Sequence, residues 1–148
     1  MYKFHYKTPI GTICIEDEDN NIVGLYLDNS DPKDDIETEL IKKAHIQLTE
    51  YFNKTRKIFD LPVKFKGTDF QNKVWKSLQT IPYGETRSYG QIAEQIGNPK
   101  ASRAVGGANN KNRIIIVVPC HRVIGANGSL VGFGCGIDIK KYLLDLEK

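Results

Sequence analysis

The sequence predicts a small antiparallel α/β unit over residues 1–67, followed by a mostly helical unit over 68–148 that carries a helix-turn-helix. Three observations predict this. The first 27 residues hold three alternating or β-branched stretches separated by turn residues. Later stretches space their apolar residues as helices do, between Gly and Pro breaks. The charge divides at the same place: residues 1–67 hold 10 Lys+Arg and 12 Asp+Glu, a net of −2, while 68–148 hold 11 and 6, a net of +5.

Tyr2–Tyr6 alternates, as does Ile10–Ile15, and Ile22–Leu27 is apolar and β-branched, which predicts three strands. Pro9-Gly11 and Asp17–Asn21 supply the turns. A helix is expected to start at Asp31-Pro32 and run to about Asn53, with Ile36, Leu40, Ile41, Ala44, Leu48, Tyr51 and Phe52 at helical spacing. A Lys/Arg-rich segment with Pro62 and Gly67 then marks the boundary.

Thr68 and Gln71 form a capping box for a helix with Phe70, Val74, Trp75 and Leu78 on one face. Ser88 and Gln91 form a second box, for a helix carrying Tyr89, Ile92, Ala93 and Ile96 that ends at Gly97. Asn98-Pro99 is expected to cap the next helix, from about Lys100 to Ala108. Helix, short turn, helix is the helix-turn-helix arrangement. Its second helix offers small residues and one long probe, Arg103. That composition suits either a close helix–helix contact or a backbone lying near the narrow minor groove. Arg113–Val118 reads as a buried strand, and a last helix places Ile139, Tyr142, Leu143 and Leu146 on one face.

Composition excludes several classes. Hydrophobic residues at 40% and charged residues at 26% fit an ordinary globular chain rather than a disordered one. The longest apolar run, Ile114–Val118, is far short of the ~20 residues of a membrane helix. The N-terminus has no apolar signal segment, and free thiols fit a reducing compartment, so a cytoplasmic location is expected. Cys14, Cys120 and Cys135 form no CxxC pair. Cys14, His5 and His45 are scattered without ligand spacing, so no metal is expected. Residues 71–122 hold 8 Lys+Arg and 2 Asp+Glu, a net of +6, consistent with a solvated basic face or with a polyanionic partner.

The chemistry concentrates at Pro119-Cys120-His121-Arg122-Val123. A thiol reacts as the thiolate, and a neighbouring base is the usual way to form one. Adjacent residues of a strand face opposite ways, so either the backbone turns here or a water links His121 to the sulfur. A histidine base needs a partner that fixes its tautomer, and Glu147 at the end of the last helix is the candidate.

Ile116–Val123 resembles the active-site motif of the O6-alkylguanine-DNA alkyltransferases. Tyr83-Gly84-Glu85-Thr86, Ser88-Tyr89, Gly97–Ala101, Arg103–Ala108, Asn112, Gly132-Phe133, Gly136-Ile137 and Leu143-Leu144 with Glu147 are similar to that family as well, so the likeness covers essentially all of 68–148. The resemblance implies a ribonuclease H-like N-terminal domain and a winged-helix-like C-terminal domain. It further implies single-turnover transfer of an alkyl group from O6 of guanine, and less readily O4 of thymine, to Cys120, with no cofactor and with double-stranded DNA as partner. By the same resemblance His121 acts through a water and Glu147 orients it. Tyr89 bonds the base and helps extrude it, Arg103 fills the gap in the stack, and Asn112 is a hinge. Ala101, Ser102, Ala104, Gly106 and Thr86 meet DNA, and Pro119, Val123, Phe133, Gly134 and Cys135 form the base pocket. Such a protein is expected as a monomer. Phe133 stands where many members have Tyr, and Cys135 where Gly or a bulky residue is common. A lesion sensor of the alkyltransferase-like kind lacks the cysteine, a cysteine hydrolase has no reason for a helix-turn-helix, and a plain regulator would use the helix-turn-helix with Cys120 as packing.

Overall fold

The computed structural model describes residues 1–130 and 136–148. The chain forms two compact units, Met1–Lys64 and Phe65–Lys148. No helix among the described residues is long and apolar enough to cross a membrane.

In the first unit β1 (Tyr2–Thr8), β2 (Gly11–Glu18) and β3 (Asn21–Leu27) form an antiparallel meander in the order β1-β2-β3. Helix α1 (Glu39–Phe52) packs on it. Ile13, Ile15, Ile22 and Leu25 of the sheet and Ile41, Ala44, Leu48 and Tyr51 of α1 form the core. Burying each of these Ile and Leu side chains is worth about 1.5–3 kcal/mol.

The expected helix start at Asp31-Pro32 is corrected. Thr38 is the N-cap, its hydroxyl accepting from the Ile41 amide. Ile36 lies outside the helix and is exposed, its amide donating instead to the Lys3 carbonyl. Asp35, Ile36 and Glu37 are therefore held by β1 rather than by helical bonds. Past α1, Ile22 donates to Pro62 and Lys64 donates to Ile22, so Val63 adds a parallel bridge beside β3. His5 and Cys14, distant in sequence, are directly opposed across β1 and β2. His45 stands apart from them, stacked on Tyr6 at 3.8 Å.

In the second unit, α2 (Asp69–Leu78), α3 (Tyr89–Gln95) and α4 (Ser102–Asn110) pack together, and α5 (Ile137–Leu146) closes the chain. Both expected capping boxes form, at Thr68/Gln71 and Ser88/Gln91. Gly97 follows the α3 C-cap with φ +82°, the left-handed conformation expected of a C′ glycine. The Asn98-Pro99 cap does not form. Asn98 begins a turn closed by the Ala101 amide, and α4 starts at Ser102 with Ala101 at its N-cap. Trp75 ties α2 to α4 by donating Nε1–H to the Ala108 carbonyl at 2.8 Å.

The expected strand Arg113–Val118 is buried at Ile114–Ile116 and Val118, but it is a turn. Ile116 has φ +70°, and Val118 donates back to Ile114. Asn112 holds the turn from inside, donating Nδ2 to the Val118 carbonyl at 2.8 Å and accepting from the Ile114 amide at 3.0 Å. β-branched residues gave a strand pattern that side-chain hydrogen bonding to the backbone overrode.

Candidate active site

Two short segments bring the site together. β4 (Arg87–Ser88) pairs in parallel with β5 (Val123–Ile124). Ser88 is also the α3 N-cap, so this pairing sets Tyr89, the first α3 residue, beside the Cys120 loop. Ahead of β5, Cys120–Arg122 form one turn of 3-10 helix. The backbone thus turns at Cys120, one of the two routes that place Cys120 and His121 in one site.

Cys120 is a buried cysteine. Asn109, on α4, donates Nδ2 to the Cys120 carbonyl at 3.3 Å and so ties the second helix of the helix-turn-helix to the cysteine. The burial of Asn109 was not foreseen from the sequence; its neighbour Asn110 is exposed.

His121 is wholly buried. Its Nε2 lies 2.6 Å from Glu147 Oε2, while its Nδ1 is buried with no hydrogen-bond partner among the described residues. Burial lowers the His121 pKa below its ordinary value, against the opposing pull of Glu147. A neutral ring whose Nε2–H points at a carboxylate leaves the Nδ1 lone pair as the acceptor of a proton.

Glu147 is saturated. Oε1 accepts from Arg122 Nε at 2.8 Å and from the Gly84 amide at 3.2 Å, and Oε2 accepts from Arg122 Nη2 at 3.0 Å. Arg122 also donates Nη1–H to the Ile81 carbonyl at 2.8 Å. Gly84, at φ +80° in the turn closed by Glu85 N to Pro82 O, admits no Cβ without crowding the Glu147 carbonyl at 3.1 Å. A buried ion pair of this kind persists only when its remaining donors and acceptors are satisfied, and here the Arg122 fork is shared between a carboxylate and a carbonyl.

The last helix turns inward Ile139, Leu143 and Leu146 of the expected face, with two differences. Tyr142 is exposed, whereas Lys140 is fully buried, one helical turn from Leu143. Lys140 Nζ donates to the Val123 carbonyl and lies 5.7 Å from the centre of the Tyr89 ring. Burial brings its pKa down to about 8, with the charge of Cys120 acting the other way. Sequence reasoning missed both Arg122 and Lys140 as parts of the site, because a charged side chain reads as surface unless its partners are known.

The remaining expected residues fall in three groups. Tyr89 is half-buried, and burial, with the nearby Cys120 charge, raises its hydroxyl pKa. Gly106 faces its ring, which lies 3.9 Å from where a Cβ would stand. Arg103, Ala104 and Thr86 are exposed, Ala101 and Ser102 are half-buried, and Pro119 and Val123 are buried. Phe133, Gly134 and Cys135 lie outside the described residues.

This fold and site define a helix-turn-helix protein with a buried cysteine nucleophile, beside which a His–Glu pair is held by an arginine. A family model of the 6-O-methylguanine DNA methyltransferase DNA binding domain matches residues 69–148, and a model of that family's ribonuclease-like domain matches residues 1–65. The methylated-DNA–protein-cysteine methyltransferase of Methanosarcina acetivorans is 48% identical over 99% of this chain and 98% of its own. The constitutive enzyme of that name from Bacillus subtilis is 47% identical over 96% of this chain and 92% of its own. The crystal structure of Mycobacterium tuberculosis OGT in complex with DNA superposes with a TM-score of 0.92 at 45% identity, covering 100% of this chain and 93% of that one. The chain belongs to the 6-O-methylguanine DNA methyltransferase family.

Proposed function

We propose that this chain repairs O6-alkylguanine in double-stranded DNA by moving the alkyl group onto its own Cys120. The observation that carries this reading is the buried Cys120–His121–Glu147 set, with Cys120 tied to α4 of the helix-turn-helix through Asn109. Family membership supports it, as do relatives named methylated-DNA–protein-cysteine methyltransferases and one solved with DNA.

In this reading the Cys120 proton passes through a water to His121 Nδ1, and Glu147 stabilises the imidazolium that forms. The thiolate attacks the alkyl carbon. A sulfur–carbon bond forms and the carbon–O6 bond breaks, its electron pair passing to guanine, which takes up a proton. The products are guanine and a thioether. A thioether has no easy leaving group, so each molecule acts once and needs no cofactor. The target atom lies inside a duplex, so the nucleotide is flipped out of the stack. Tyr89 contacts the base and Arg103 fills the gap. The small residues at the start of α4, half-buried Ala101, Ser102 and Gly106 with exposed Ala104, lie along the minor groove, with Thr86 at its edge. Asn112 and Asn109 couple α4 to the cysteine loop, and the pocket is completed by Pro119, Val123, Phe133, Gly134 and Cys135. The chain works as a monomer of two domains, 1–67 and 68–148, in the compartment that holds the DNA.

The test is a duplex with a single O6-methylguanine, followed by digestion and mass spectrometry. The expected result is a gain of one CH₂ on the Cys120 peptide with guanine restored. Restoration that persists in Cys120→Ser, or a methyl group found on Cys135, overturns the reading.

A further inference from the structure

Few buried side-chain atoms among the described residues have no hydrogen-bond partner, and two of them belong to residues next to the nucleophile: Asn109 Oδ1 and His121 Nδ1. Asn109 sits on the buried face of α4, one helical turn from Val105, and is 1% exposed. A polar side chain in such a place is costly unless its donors and acceptors are bonded. Its Nδ2 is used, because a carbonyl takes only a donor and the Cys120 carbonyl lies 3.3 Å away. Its Oδ1 is therefore a buried acceptor held beside the Cys120 loop. Asn112 differs, because it spends both ends on the turn backbone at Ile114 and Val118.

We propose that Asn109 is a positioning residue for alkyl transfer, its Oδ1 sharing one buried water with His121 Nδ1. The proposal rests on the reading that Cys120 gives up its proton through a water to His121. A buried water makes about three hydrogen bonds. This one donates one proton to Asn109 Oδ1 and the other to His121 Nδ1, which leaves its lone pairs for the Cys120 thiol. A water at ordinary hydrogen-bond length joins groups up to about 6 Å apart, so the two acceptors need not touch.

The bond from Asn109 is the one that does not change during the transfer. As the S–H bond breaks, its proton goes to the water oxygen, and the water proton facing His121 moves onto Nδ1. The water is regenerated, now accepting from Nδ1–H and donating to the thiolate. The step yields thiolate and imidazolium, with Glu147 as the counter-charge, and the net charge is unchanged. In both states the amide oxygen accepts the same water proton. It has no proton of its own to give, so only the proton facing His121 moves. The same side chain binds the Cys120 carbonyl, so one group places both the water and the loop that carries the sulfur.

A high-resolution crystal structure of the full-length protein is expected to show one water in hydrogen-bond reach of Asn109 Oδ1, His121 Nδ1 and Cys120 Sγ. The second measurement uses Asn109→Leu, which keeps the shape and removes donor and acceptor, in a chain also carrying Cys14→Ser and Cys135→Ser so that Cys120 is its one thiol. Reaction with free O6-methylguanine, which needs no helix opening, should slow by about 100-fold, the effect of misplacing a reacting group by about 1 Å. Thiolate absorbance followed against pH should show the Cys120 midpoint move up toward the ordinary thiol value of about 8.5. The other titratable or charged groups around this pair are Tyr89, Lys140, Arg122 and Glu147, and Asn109→Leu retains all of them. A residue that only ties α4 to the loop would leave the midpoint where it stands. A water bonded to His121 Nδ1 but not to Asn109 Oδ1, no water at either, or an unchanged midpoint in folded Asn109→Leu overturns the proposal. The crystallographic outcome decides it even where the variant does not fold. Mass spectrometry separates the two readings: a methyl group still found on Cys120 keeps alkyl transfer and removes only the role of Asn109.

Discussion

His121 Nε2 stands 2.6 Å from Glu147 Oε2, and neither side chain reaches solvent. This contact fixes which imidazole nitrogen carries hydrogen and so leaves Nδ1 as the proton acceptor. Glu147→Gln keeps the size but removes the charge that stabilises an imidazolium. Single-turnover repair of O6-methylguanine is expected to slow by about 10²–10⁴-fold, the range for removing a positioned acid–base partner. A rate within twofold of the parent would show that the pair has no part in proton transfer.

Arg122 is expected to separate stability from catalysis. Removing Glu147 alone leaves a buried guanidinium without its counter-charge, at a cost of about 3–5 kcal/mol. Arg122→Met alone takes from the carboxylate both of its guanidinium hydrogen bonds. The double variant Arg122→Met/Glu147→Gln removes both charges together. Urea denaturation should therefore show it to be more stable than the sum of the two single losses. Its repair rate should remain as low as that of Glu147→Gln. Strict additivity in stability would mean that the pair is not energetically coupled.

Stability should also report the buried imidazole. Burial lowers the His121 pKa in the folded protein below 6.5, so below pH 6.5 the unfolded chain binds a proton that the folded chain does not. The contribution of His121 is then present above pH 6.5 and is lost as the pH falls below it. An NMR titration of the folded protein is expected to place the His121 ring midpoint under 6.5, with the melting temperature dropping on the acid side. A midpoint above 6.5 would reverse the sign and reject a neutral base.

Much of this was legible in the sequence because it is local. Capping boxes and the Gly97 stop act within a few residues and form as read, and the equally local Pro119–Val123 motif turns its backbone at Cys120. Most of what was not legible is long-range. Before Thr38 caps α1, the Ile36 amide goes to the Lys3 carbonyl, which no spacing within 31–53 encodes. The Arg113–Val118 stretch has a strand's composition, but Asn112 bends it from outside the pattern. Arg122 and Lys140 look like surface charges until Glu147 and the Val123 carbonyl are seen to meet them. His5 and Cys14 look scattered along the chain because their proximity depends on the register of β1 against β2.

The exposed Arg103 on α4 tests the DNA-facing surface separately from the chemistry. It makes no hydrogen bond or ion pair with Cys120, His121 or Glu147, so its loss should leave the nucleophile's environment unchanged. Arg103→Ala is expected to slow repair in duplex DNA while leaving reaction with the free modified base within about twofold, because only the duplex must be unstacked, at a cost of a few kcal/mol. If phosphate contacts supply the binding, affinity for undamaged duplex should fall steeply and linearly on a log scale with salt, and the slope should flatten by about one unit if Arg103 also neutralises a phosphate. An unchanged slope with slower duplex repair would assign Arg103 to the stack alone. Equal losses on duplex and free base would instead show that Arg103 acts on the chemistry, and would remove α4 as the element that opens the helix.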